Sequence, residues 1–123
     1  MRKFVLSVVV FAFAAQANAA WDALEEVNAA RAARGLRPFI YDVNLARAAA
    51  GCANWRAERL CEGHTNNDFA ALPPGNMASS TGCAAWAPSL GWSSCCTYDN
   101  YTYAGAAWTM GRDGRRYMSL FVR

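Results

Sequence analysis

Histidine occurs once in this chain, at His64, and lysine once, at Lys3. One imidazole is too few for a zinc centre, which takes three or four protein ligands. No two cysteines form a C-x-x-C pair, so a thiolate metal site is excluded as well. Between Asp68 and Asp99 there is no acidic residue. No serine stands in a nucleophile elbow such as G-x-S-x-G. No basic run or cationic amphipathic helix points to nucleic acid or a lipid surface. No apolar run approaches the roughly 20 residues of a membrane-spanning helix.

The longest apolar run is Phe4 to Ala15, broken only by Ser7. It follows the basic pair Arg2 and Lys3, and Ala17-Asn18-Ala19 comes shortly after it. Basic, apolar and small-x-small segments in that order predict a signal peptide over residues 1–19, cleaved after Ala19. A retained anchor is the competing reading. Residues 20–123 would then be one exported domain, periplasmic or extracellular, with no transmembrane segment. Removing Arg2 and Lys3 leaves ten basic against nine acidic residues, so charge says little about partners.

All five cysteines, Cys52, Cys61, Cys83, Cys95 and Cys96, lie in that domain. Export favours disulfides, with four of the five paired and one left over. Cys52 and Cys61 fall nine residues apart on one predicted helix. They sit roughly 13 Å apart along its axis, beyond the ~7 Å reach of a bridge. Each must reach Cys83, Cys95 or Cys96, or stay free. A vicinal Cys95–Cys96 bridge is a strained alternative.

Asp22 with Glu25 resembles a capping box, and Gly35 closes a predicted helix over residues 23–34. Leu24, Val27 and Arg31 share one face with Asn28. Asp42 caps a second helix, from Val43 to about Cys61, ended by Gly63. Its buried stripe is Leu45, Ala48, Ala49, Cys52, Ala53, Arg56 and Leu60, although Arg56 also counts towards the wet side. Pro73-Pro74-Gly75 marks a turn, and residues 83–86 read as one helical turn stopped by Pro88. Residues 101–110 and 115–122 flank Gly111-Arg112-Asp113-Gly114 and predict an antiparallel hairpin. Tyr117, Ser119 and Phe121 fall on one face and Met118, Leu120 and Val122 on the other. The class is α+β.

The order of these landmarks resembles the CAP superfamily, also called the SCP domain, in its short bacterial form. Asn28, Arg31, Gly35-Leu36 and Pro38-Phe39 resemble the family's N-x-x-R-x-x-x-G-L-x-P-L opening helix. Asp42, Leu45 and Ala48 resemble the start of its second helix. Gly63-His64-Thr65 matches the loop that carries a site histidine. Gly75-Asn76 stands where the family has G-E-N, and Pro88 to Trp92 where it has S-P-G-H-R. Tyr101 to Val122 resembles the closing strands. The resemblance implies an α-β-α sandwich with two N-terminal helices and a C-terminal hairpin. It places His64, Asn76 and Trp92 in the cleft, with Trp92 at the second histidine's position and the family's glutamate missing. That departure argues against a metal or other cofactor.

The leading expectation is therefore a non-catalytic exported module with a structural or binding role. A hydrolase using His64 with a nearby hydroxyl or thiol is the alternative, with Asp68 one helical turn away. A thiol nucleophile needs one free cysteine, and oxidation in the exported compartment opposes it. A third reading is an envelope glycan or apolar-ligand binder, stacking on Trp86, Trp92, Tyr98, Tyr101 and Tyr103. Core packing is the plainer use of such aromatics.

Overall fold

The computed structural model describes residues 23–65 and 68–123. The signal segment and the Asp22 cap lie outside the described residues. Within them are two α-helices, two single-turn 3-10 helices and a four-stranded mixed sheet, an α+β fold.

Helix α1 is helical through residues 23–32. Leu24, Val27 and Arg31 are buried on its inner face. It closes where Gly35 turns to φ 72° and Leu36 N–H returns to the Arg31 carbonyl at 3.0 Å. Asn28 exchanges two hydrogen bonds with the backbone of Phe39, at 2.8 and 3.2 Å, and so fixes the exit from the helix. Buried Arg31 donates to the carbonyls of Arg37, Thr97 and Asp99, tying α1 to the loop that follows Cys96.

Strand β1, Ile40–Tyr41, pairs parallel with β3. Helix α2, Val43–Arg59, starts where the Asp42 carboxylate accepts from the backbone of Asn44 and Leu45. It ends earlier than the sequence suggests. Leu60, not Gly63, takes the left-handed cap at φ 53°, and Cys61 N–H closes on the Arg56 carbonyl.

Strand β2, Ser80–Trp86, corrects a second expectation: residues 83–86 are extended, not a helical turn. Its seven residues all pair antiparallel with β4, and a continuous ladder outweighs the helical preference of Ala84 and Ala85. Pro88 then begins a 3-10 turn, Pro88–Leu90. Strands β3, Tyr103–Met110, and β4, Arg116–Val122, pair antiparallel as the turn residues predict. The sheet order is β1-β3-β4-β2, which leaves β2 at an edge.

Every residue of β4 is buried, as expected of a central strand covered on both faces. Leu120 and Val122 join Ala104, Ala106, Phe39, Cys96 and the α1 face in one core cluster. Phe121 joins Ala107, Leu45, Ala49 and Cys52 of α2 in the other. No described helix is long and apolar enough to cross a membrane.

Candidate functional site

Arg56 starts the site. It lies one turn after Cys52 on the buried stripe of α2 and is only 2% exposed. A guanidinium has five donors and does not give up its proton, so burial obliges it to find acceptors. Its Nη2 donates to Asp68 Oδ1 at 2.5 Å, its Nη1 to Ser119 Oγ at 3.3 Å and its Nε to the Gly63 carbonyl at 3.2 Å. The chain after α2 is thereby folded back over the helix, with Asp68 opening a 3-10 turn, Asp68–Ala71.

Asp68 is itself buried and carries four further contacts beyond Arg56's reach. Thr65 donates twice to Oδ1, from N–H at 3.2 Å and from its hydroxyl at 3.1 Å. His64 Nδ1 lies 2.6 Å from Oδ2, and the Cys52 thiol donates to the Asp68 carbonyl at 3.5 Å. Burial pushes the Asp68 carboxyl up. The His64 hydrogen bond, the Thr65 N–H, the Arg56 charge and the Thr65 hydroxyl outweigh it and hold the carboxyl below its ordinary 3.8. A depressed folded-state value means a stabilisation that is full above 3.8 and lost as pH falls below it. The wild-type protein should therefore lose stability below about pH 4. Asp68→Asn should be less stable at neutral pH and lack that part of the acid dependence. Urea melts at a series of pH values measure both.

His64 links this buried pair to the surface. An ionised Asp68 only accepts, so a neutral His64 ring carries its proton on Nδ1 and turns a lone pair outward at Nε2. Cys95 Sγ lies 3.7 Å from that Nε2 and 3.7 Å from the Thr81 carbonyl. Cys95 is exposed, and the ring is half-exposed.

The two residues arrive from opposite faces of the sheet. Cys95's carbonyl rests on Gly82, where a Cβ would come within 2.0 Å of it. Gly82 is opposite Leu120, a member of the α1-side cluster. Next along β2, Cys83 is opposite Ser119, which Arg56 contacts from the α2 side. Cys95 and His64 therefore meet around the open edge of β2. A cleft of about 370 Å³ opens at the other end of the network, lined by Trp55, Arg56, Thr65, Asp68, Ala70 and Ala71 among others; neither Cys95 nor His64 lines it.

Of the residues that the family likeness groups in a cleft, Asn76 lies apart from His64. Asn76 accepts from Asn44 Nδ2 at 2.8 Å, in the first turn of α2. Arg56 is twelve residues further along, about 18 Å by helical rise. Trp92 packs against the α1-side cluster, with its indole N–H on Thr97 Oγ1 at 3.2 Å. The aromatics divide likewise. Tyr101 packs on the α1 side and Tyr103 on the α2 side, and Tyr98 lies under the Arg34 guanidinium.

The five cysteines are free thiols here. Burial pushes the Cys83 and Cys96 thiols up to about 11, so neither competes with an exposed thiol for a reagent in solution. Cys61 lies beyond the end of α2 and donates to the Gly63 carbonyl. Among the described residues, no three His, Cys, Asp or Glu side chains converge to hold a metal ion. Sequence reasoning paired His64 with Asp68 but missed Arg56 as their anchor and Cys95 as their neighbour. The Arg56 signal was present: an arginine on an otherwise apolar stripe needs a buried acid. No family model, curated protein or solved structure matches the chain.

Proposed function

We propose that this chain is an exported thiol hydrolase on a CAP-like α-β-α sandwich, with Cys95 as nucleophile, His64 as base and Asp68 as the residue that orients the base. The observation that carries the reading is the continuous chain Cys95 Sγ, His64 Nε2, His64 Nδ1, Asp68 Oδ2, with contacts of 3.7 and 2.6 Å. The family likeness rests on the ordered motifs. The sandwich is supported by the two core clusters, one on each side of the sheet.

The chemistry follows from the roles. His64 Nε2 takes the thiol proton as Cys95 sulfur attacks the carbonyl carbon of an ester or amide. Asp68 fixes the ring tautomer and stabilises the imidazolium that forms. His64 returns the proton to the leaving group, and water then hydrolyses the thioester with His64 again as base. Arg56 keeps Asp68 ionised and in place.

The competing reading is a non-catalytic binding module, in which the same network only staples the 61–68 loop to α2. It is favoured by the saturation of Asp68, whose oxygens are taken by Arg56, Thr65 and His64. Iodoacetamide labelling separates the two. In a working site Cys95 should alkylate fastest of the five thiols, and His64→Ala should slow it by about tenfold or more at pH 7. A staple predicts a lower melting temperature for His64→Ala and an unchanged Cys95 rate.

A further inference from the structure

We propose that Cys95 and Cys96 form a reversible vicinal disulfide that takes the nucleophile out of service when the surroundings are oxidising. The inference rests on the nucleophilic reading of Cys95 and names the regulation of that site.

The two sulfurs lie 3.9 Å apart. Their surroundings differ. Cys95 is exposed at His64, whereas Cys96 is buried in the α1-side core with its sulfur 3.0 Å from Ser80 Oγ. An attacking and a resolving thiol are needed in such a pair, and this asymmetry supplies them. Cys95 is open to a small disulfide from solvent, and buried Cys96 has the Cys95 sulfur within reach. The backbone between them is already unusual: Cys96 has φ 70°, a left-handed conformation that a side-chain-bearing residue seldom takes. Seating the Cys95 carbonyl on Gly82 holds that conformation, since any side chain at position 82 would collide with it.

The step balances with a low-molecular-weight disulfide as oxidant. The Cys95 thiolate attacks one of its sulfurs, breaking that S–S bond and releasing one thiolate. Cys96, losing its proton, then attacks Cys95 Sγ and expels the second. Two cysteines lose two electrons, and the reagent leaves as two thiols. Neighbouring Cα atoms are about 3.8 Å apart, short of the roughly 4.4–6.8 Å common for bridged cysteines. Strain of that kind raises the reduction potential, so the bond reopens in mild reductant. A bond that reopens suits a switch better than a permanent staple.

The test uses the whole exported protein, reduced and then equilibrated in glutathione buffers from reducing to oxidising. Samples are quenched with maleimide, digested and weighed. The fragment holding Cys95 and Cys96 should lose both labels together, become two hydrogens lighter, and recover on adding thiol. Cys96→Ser should instead accumulate glutathione on Cys95. A bridge from Cys95 to Cys61 or Cys83 overturns the proposal, as does glutathione held stably on wild-type Cys95. The enzyme reading fails separately: the pair would still close while His64→Ala left Cys95 alkylation unchanged.

Discussion

Arg56→Met lowers folding stability by about 3–5 kcal/mol, the usual cost of stranding one member of a buried ion pair. Both side chains are nearly inaccessible, at 3% for Arg56 and 7% for Asp68. Methionine keeps the stem's packing but returns nothing to Asp68, Ser119 or the Gly63 carbonyl. The Asp68 carboxylate would lose the cation beside it, and the 61–68 loop would lose its tie to α2. His64 rides on that loop, so Cys95 alkylation should slow in the same variant. A second substitution separates lost pairing from lost shape. Arg56→Met with Asp68→Leu removes both charges and should recover a large part of the stability without restoring Cys95 reactivity. Urea midpoints at unchanged slope give the stability terms. A loss below about 1 kcal/mol for Arg56→Met would show a solvated pair and remove the site's anchor.

Gly105→Ala is expected to cost at least the upper end of the roughly 1–3 kcal/mol typical of overpacking. An added Cβ would lie 1.9 Å from Ala46 N, 2.1 Å from Leu45 C and 2.4 Å from Ala46 Cα. These are backbone atoms of the first turn of α2, which cannot rotate aside as a side chain would. Helix and strand must separate, and the cluster of Leu45, Ala49, Cys52, Ala107 and Phe121 opens with them. Gly63→Ala is the control, since nothing lies within 4 Å of the position and its φ is not left-handed. It should change stability by no more than about 0.5 kcal/mol. Thermal melts of the two variants side by side decide it. Equal melting temperatures would mean that α2 does not sit this close to β3.

Much of the scaffold is legible along the chain. Helical spacing marks Leu24, Val27 and Arg31 on α1 and Leu45, Ala49, Cys52 and Ala53 on α2, and all of these are buried. Asp42 caps as its chemistry predicts, and Asp113-Gly114 turns the hairpin between β3 and β4. Strand β2 is the instructive miss. Ser80–Trp86 has little β-branched character and two alanines, so local preference says nothing useful; pairing with β4 decides its state. Leu60 ending α2 ahead of Gly63 is similar, because Arg56's carbonyl captures Cys61 while its side chain captures Gly63.

The site divides in the same way. His64 and Asp68 are four residues apart, close enough for sequence spacing to suggest their contact. Cys95 is 31 residues from His64 and comes from the other face of the sheet. No spacing rule reaches that far.

The sequence alone determined what depends on neighbours a few residues away: two amphipathic helices, the Gly35 and Asp42 caps, the hairpin and the single imidazole. Backbone geometry repeats at short range, so those features follow from local periodicity and turn chemistry. Tertiary structure alone decided that Arg56 is buried against Asp68, that β2 is an edge strand and that Cys95 meets His64 around it. Those contacts depend on strand register and on how closely α2 approaches β3. Only the folded chain sets these, because burying both faces of β4 selects one register among many.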